Sequence, residues 1–206
     1  MKPYIGIVNY GCGNVNSLKS ILRGLNFNCY ESKSIKKLEA SDLLILPGVG
    51  SYSHATKNLK NSGLDKFLKK IYKKKPILGI CLGMQLLAGI GYEKGKNKGL
   101  NIIPGKVISI KHDKFNIGWK ILKTNKTCKN KDNLKKFENK FFYFNHGYQY
   151  LTLEKYVYMK SSVGGYSIPA VIKKKNILGV QFHPEKSQLN GKKFLKTIIN
   201  ELVYGK

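Results

Sequence analysis

Apolar positions along this chain change rhythm about halfway. The run Tyr4 to Tyr10 (YIGIVNY) is β-rich, a Gly-rich turn follows at Gly11 to Asn14, and Leu18, Ile21, Leu22 and Leu25 then recur at helical spacing. That is one β-turn-α unit. Asp42 to Gly50 (DLLILPGVG) predicts a short buried strand ending in a Pro-Gly loop, and Leu64, Phe67, Leu68 and Ile71 mark an amphipathic helix after it. Pro76 to Ile80 (PILGI) predicts another buried strand, continued by a helix over LGMQLLAGI. Short, wholly apolar strands alternating with helices predict an α/β protein with a mostly parallel sheet flanked by helices.

The second half reads differently. KVISIKHD, GWKILKT, KFFYFNHGYQY, KYVYMKSS, PAVIKKK and ILGVQFH are aromatic or β-branched runs between polar turns, which predicts an antiparallel or mixed extension of the sheet. Leu189, Phe194, Leu195, Ile198, Ile199 and Leu202 then recur as one face of a closing helix. The Lys/Asn-rich piece Lys123 to Asn139 lacks either period and reads as a surface excursion. With no repeat and no linker, residues 1–206 are expected to form a single domain.

Charge adds less than its size suggests. Lys plus Arg total 38 against 11 Asp plus Glu, a formal net charge of +27, which is the footprint of a polyanion binder. However, Arg23 is the only arginine, and specific nucleic-acid contacts favour the bidentate geometry of Arg. The lysines are spread from Lys2 to Lys206 without Arg-aromatic clusters, so a solvated surface is expected and no nucleic-acid partner. The absence of any apolar run of about 20 residues argues against a membrane span, and a cytoplasmic location is expected. Cys12, Cys29, Cys81 and Cys128 form no CxxC pair and are read as thiols, with no metal and no cofactor implied.

One of those thiols sits in a chemical context. Gly79-Ile80-Cys81-Leu82-Gly83 has the G-x-nucleophile-x-G spacing of a strand-to-helix elbow, at a helix N-terminus whose dipole and free N–H groups favour thiolate. Alone, the pattern also fits a small buried core cysteine. A thiolate nucleophile needs a proton carrier, and His183, after the strand ILGVQF, is expected at the same sheet edge, with Glu185 two residues on to orient its imidazole. His54, His112 and His146 lack such a carboxylate nearby and are read as structural. Backbone N–H groups of Leu82 and of Val49 or Gly50, in the loop LPGVGSY, are candidates for an oxyanion site.

These segments together resemble the class I glutamine amidotransferases, through GICLGMQ and the distal QFHPE. Within that family, NYGCGNVNSL, LPGVGSY, GICLGMQLL, IGW and QFHPEKSQ, in this order over essentially the whole chain, are similar to the glutaminase subunits of imidazole glycerol phosphate synthases. The resemblance implies a flavodoxin-like fold and a Cys81-His183-Glu185 triad. It also implies glutamine contacts from Gly48, Val49, Gly50, Leu82 and Gln85, and ammonia delivery to a separate (β/α)8-barrel cyclase subunit in a heterodimer. Asn14, Trp119, Tyr143 and Lys186 would face that partner. Two segments depart from the family pattern: Phe115-Asn116-Ile117-Gly118-Trp119-Lys120 replaces Pro-His-Met-Gly-Trp-Asn, and Tyr143-Phe144-Asn145-His146-Gly147-Tyr148 replaces Tyr-Phe-Val-His-Ser-Tyr. These departures leave two acceptors open: the histidine-pathway intermediate, or a sugar amidinated for a surface polysaccharide or flagellin.

Overall fold

The computed structural model describes residues 2–13, 15–110, 115–125, 127 and 133–205. Asn14, His112 and Cys128 lie outside the described residues. Its spine is an eight-stranded sheet. Four of its first five strands come from the first half: β1 (Tyr4–Val8), β2 (Asn28–Ser32), β3 (Leu43–Leu46) and β4 (Ile77–Ile80), joined by β14 (Ile177–Val180). They run parallel in the order β2-β1-β3-β4-β14, the doubly wound order whose switch point falls between β1 and β3.

Alternation within these strands divides the core. Ile5, Ile7, Leu43, Ile45, Leu78, Ile80, Leu178 and Val180 face the layer of α1 (Val15–Gly24) and α6 (Gln188–Tyr204). Leu44, Leu46, Ile77 and Ile177 face α3 (Tyr52–Asn61) and α4 (Leu64–Ile71). A short α2 (Ile35–Glu39) precedes β3, and α5 (Leu82–Leu86) follows β4. The edge strand β2 and helices α2 and α3 were not evident from the apolar pattern. Strand β2 is half-exposed, and α3 buries only Tyr52, Ala55 and Leu59.

The expected extension is present, but it divides. β13 (Tyr166–Lys174), β12 (Val157–Val163) and β9 (Lys123–Thr124) continue the main sheet antiparallel beyond β14. β5 (Ile90–Gly91), β6 (Asn97–Lys98), β7 (Lys106–Ser109) and β11 (Tyr148–Leu151) make a separate four-stranded sheet. β8 (Asn116–Ile121) and β10 (Phe141–His146) pair as a two-stranded ribbon. The run KFFYFNHGYQY is therefore two strands in two sheets, broken at Gly147. The reading of Lys123 to Asn139 as surface is corrected in part. Leu134 and Phe137 are buried, and Phe137 packs against Phe142 and Phe194 at ring-centroid distances of 6.1 and 5.0 Å. The lysines around them hide a short apolar anchor from any periodicity count.

Helix α5 is also shorter than LGMQLLAGI suggests. Segment 100–103 folds back and donates Leu100 N–H to Leu86 O and Ile102 N–H to Leu87 O, taking carbonyls that helix extension would use. Among the described residues no helix is long and apolar enough to cross a membrane.

Candidate active site

Cys81 sits where β4 turns into α5, with φ 52° and ψ −109°, a conformation L-residues rarely hold. Glycines make this elbow possible. Gly79 and Gly179 are register partners on β4 and β14. A Cβ on Gly79 would approach Gly83 O to 2.7 Å, and one on Gly179 would approach Met84 Cγ to 2.8 Å, so the α5 backbone lies against β4 and its Met84 side chain against β14. On the other side of α5, a Cβ on Gly83 would collide with the carbonyl oxygen of Leu46, and one on Gly48 would come within 2.8 Å of Leu82 Cβ. The elbow is wedged between β4, β14 and the loop after β3.

A stability prediction arises here. Gly83→Ala is expected to cost about 3 kcal/mol or more, because the collision is with backbone that cannot rotate away. Gly24→Ala, at the end of α1 with no heavy atom within 4 Å, is expected to lie within about 1 kcal/mol of neutral. Urea denaturation of both variants checks this, and equal midpoints would refute the wedge.

Because β14 lies beside β4 in parallel, its outgoing loop reaches the same sheet edge. Cys81 N–H donates to Val180 O at 2.7 Å, which ties the elbow to that neighbour. His183 follows three residues later, 2% exposed, with Nδ1 2.7 Å from Glu185 Oε1. A short helical turn over Pro184–Lys186 brings the carboxylate back under the ring. Ser187 fixes the turn by donating Oγ–H to His183 O at 2.7 Å and accepting Tyr143 N–H at 3.0 Å. Since Nδ1 faces Glu185, Nε2 is left for Cys81. Burial opposes protonation of His183, but hydrogen bonds and charge from Cys81 and Glu185 outweigh it and raise its pKa to about 10. His183 is therefore a protonated imidazolium at neutral pH, set beside the Cys81 sulfur. With α5 only five residues long, its dipole adds little. The imidazolium is the stronger partner for the sulfur.

The remaining expected residues fall around this pair. The loop Pro47-Gly48-Val49 stands with Ile80, His183 and Glu185 around a crevice of about 10 Å³, room for no more than one water. Gly50 holds φ 114°, with no atom near a would-be Cβ. Tyr10 donates its hydroxyl proton to Pro47 O at the loop's root. At its far end Glu93, which no sequence signal marked, accepts Tyr52 N–H at 2.6 Å and anchors the start of α3. Gln85 is buried, with Nε2 3.3 Å from both Tyr148 O and Gln181 Oε1. Among the other histidines, His54 is exposed beside Asn58 at 3.1 Å, whereas His146 is buried and 2.9 Å from Asn116.

Three of the four residues expected to face a partner, Trp119, Tyr143 and Lys186, converge on the outer face of the β8/β10 ribbon, and the fourth, Asn14, lies outside the described residues. Trp119 and Tyr143 are register partners with rings edge-to-face at 6.0 Å, and Lys186 Nζ lies 5.8 Å from the Tyr143 ring centroid. Ile117, Ile121 and Phe141 share that face, all exposed, so the ribbon presents a contiguous apolar stripe.

Comparison with known proteins follows this geometry. The family described as glutamine amidotransferase class-I matches residues 8–201. The chain is 38% identical over 203 residues to imidazole glycerol phosphate synthase subunit HisH 2 of Methanococcus maripaludis, covering 96% of this chain and 99% of the relative. It is also 38% identical over 204 residues to subunit HisH 1 of Campylobacter jejuni strain RM1221, with 95% and 98% covered. Among solved structures, that of PurLQS from Thermotoga maritima superposes with a TM-score of 0.76 at 23% identity, over 98% of this chain and 100% of that one. A structure described as a glutamine amidotransferase gives 0.75 at 18% identity, over 97% and 98%. At these identities the structures establish the fold alone.

Proposed function

The chain belongs to the class-I glutamine amidotransferase family, and from that premise we propose that it is the glutaminase subunit of an imidazole glycerol phosphate synthase. In this reading it hydrolyses L-glutamine and passes the ammonia to a (β/α)8-barrel cyclase subunit, which forms imidazole glycerol phosphate and AICAR in histidine biosynthesis. The observation that carries the chemistry is the strained Cys81 elbow next to a buried His183 that Glu185 holds at 2.7 Å. The relatives named as imidazole glycerol phosphate synthase subunits, at 38% identity over nearly full length, support the pathway.

The chemistry runs in two halves. The Cys81 thiolate attacks the carboxamide carbon of glutamine, and N–H groups of Leu82 and of Val49 or Gly50 stabilise the oxyanion. His183 Nε2–H protonates the departing nitrogen, which leaves as ammonia, and a γ-glutamyl thioester remains on Cys81. Neutral His183 then takes a proton from water, which attacks the thioester and releases glutamate. Glu185 stays ionised throughout and stabilises the imidazolium. Gly48, Val49, Gly50, Leu82 and Gln85 line the route of the glutamine side chain.

The cyclase is placed on the ribbon that carries Trp119, Tyr143 and Lys186. An apolar stripe with an aromatic pair at its centre suits a hot spot, and Lys186 suits an acidic residue across the interface. Lys186 adjoins Glu185 in sequence, and the crevice of about 10 Å³ beside Glu185 is lined by Gly48 and Val49 of the loop after β3. Docking at the ribbon therefore acts next to the loop that supplies oxyanion N–H groups. Glutaminase activity is expected to be low alone and to rise at least about 10-fold with the cyclase and its acceptor, a shift of about 1.4 kcal/mol between loop states. Rates measured alone, with cyclase, and with cyclase plus acceptor test this, and three equal rates would refute the gating.

A second reading keeps the glutaminase chemistry and supplies ammonia for amidino-sugar synthesis. It is favoured by the two departures from the family pattern, one of which, 115–120, lies on the proposed docking strand. Methanococcus maripaludis has relatives named HisH 1 and HisH 2, so one organism can hold two copies. Activation by a sugar-modifying synthase, and not by the histidine cyclase, would identify this acceptor.

A further inference from the structure

Behind the apolar stripe, the inward side of the β8/β10 ribbon carries a register pair of polar residues, Asn116 and His146, both buried. Their hydrogen bonds continue beyond the ribbon. His146 Nδ1 lies 2.7 Å from Tyr148 O, and Gln85 Nε2 donates to the same carbonyl at 3.3 Å. Gln85 Nε2 also donates to Gln181 Oε1 at 3.3 Å, and Gln181 Nε2 lies 3.8 Å from Cys81 Sγ. Four side chains and one carbonyl thus join strand β8 to the sulfur.

The direction of this chain follows from one group. A carbonyl oxygen can only accept, so His146 Nδ1 carries the proton facing Tyr148. Burial, together with the charge of His183, outweighs that bond and lowers the His146 pKa to about 4, so the ring is neutral and Nε2 is an acceptor. Asn116 must therefore turn its amide nitrogen to His146 Nε2, which leaves Asn116 Oδ1 buried without a partner among the described residues. Toward the other end, Gln85 must donate to Tyr148 O. Gln181 must then accept through Oε1 and aim its N–H at Cys81 Sγ. That orientation suits a thiolate, which accepts hydrogen bonds more strongly than a thiol donates or accepts them.

We propose that Asn116, His146, Gln85 and Gln181 form a positioning relay that holds a hydrogen-bond donor on the Cys81 thiolate and links the nucleophile to the ribbon where the partner docks. The proposal rests on the reading of Cys81 as the nucleophile. None of the relay's side chains needs to exchange a proton with substrate. The relay acts through Gln181, and Asn116 is its end nearest the partner because its strand neighbour Ile117 belongs to the exposed stripe. The titratable groups around the sulfur are His183 on the β14 loop and Tyr10 after β1, and His146 is close enough to His183 to feel its charge.

The test reads the thiolate directly. Alkylation of Cys81 by iodoacetamide, followed by mass spectrometry of its own peptide, gives the pH midpoint of its reactivity whether or not any partner is present. Asn116→Leu and Gln181→Leu are each expected to move that midpoint upward by about 0.5 to 1 unit. Each should lower partner-activated kcat about 3- to 10-fold more than it changes KM. The double variant should shift no further than Gln181→Leu alone, because both cut one path. Where Asn116→Leu does not fold, Asn116→Thr serves, since its hydroxyl is too short to span to His146. An unmoved midpoint in folded Asn116 variants, or additive shifts in the double variant, would overturn the relay. Failure of the wild-type protein to be activated by the cyclase, with the midpoint shifts intact, would count against the proposed partner and leave the relay standing.

Discussion

Cys81→Ala is expected to abolish glutamine use while the partner synthase continues to run on added ammonium salts. The expectation follows from the separation of tasks in the fold. In the proposed mechanism Cys81 is the nucleophile at the junction of β4 and β14, while His183 is held by Glu185 as the proton carrier and Gln85 and Gln181 are amides. The loss of glutamine-driven turnover should be at least about 10⁴-fold, the scale on which removing a triad nucleophile acts. Folding should be nearly untouched or improved. Alanine is smaller and uncharged, although it must still hold φ 52°. Glutamine-driven and ammonia-driven rates measured side by side decide the matter. Retained glutaminase activity in the variant would remove Cys81 from the mechanism.

Glu185→Gln is the second large effect, and it is expected to slow glutamine turnover by about 10² to 10⁴-fold with an alkaline limb displaced to lower pH. The variant keeps the shape of the side chain and removes its charge. One carboxylate oxygen holds His183 Nδ1, while the other, Oε2, is buried without a partner among the described residues. An amide can place its oxygen on Nδ1 only by leaving its NH₂ in that unpartnered position, or place its NH₂ there and force the wrong tautomer. Either way the imidazolium loses support that, with Cys81, raises its pKa to about 10 against an ordinary 6.5. The sign for stability follows. Because the folded pKa lies above the unfolded one, the stabilisation from protonated His183 is fully present below pH 6.5 and is lost as pH rises toward about 10. The melting-temperature gap between wild type and variant should therefore be widest near about pH 6 and shrink above it. A loss of stability without a kinetic defect would mean that Glu185 is structural.

How far the sequence anticipates this protein can be judged at particular residues. The apolar runs at Ile5, Leu43 and Ile77 identify parallel strands, because a strand buried on both faces has to be apolar throughout, whereas the run at Ile177 reads with the antiparallel or mixed extension and only its pairing with β4 makes it parallel. Cys81 between two glycines, and His183 two residues from Glu185, mark the site for a local reason: elbow and turn geometry are settled within a few residues. Glu93, Asn116 and His146 carry no such local signal, and Gln181, although it opens QFHPE, shows nothing there of its partners. His146 in particular looks structural by sequence, and only its position opposite Asn116 and above Tyr148 ties it to the nucleophile.

The sequence by itself therefore determined the fold class, the elbow and the candidate triad, since these depend on periodicity, backbone permissiveness and short spacings along the chain. The tertiary structure alone decided that KFFYFNHGYQY splits between two sheets and that α5 stops at Leu86. It alone aimed the Gln181 amide at Cys81 Sγ, 100 residues away along the chain. The physical reason is that buried hydrogen-bond donors and acceptors must be paired, and their partners are chosen by which strands become neighbours, a choice that no local pattern records.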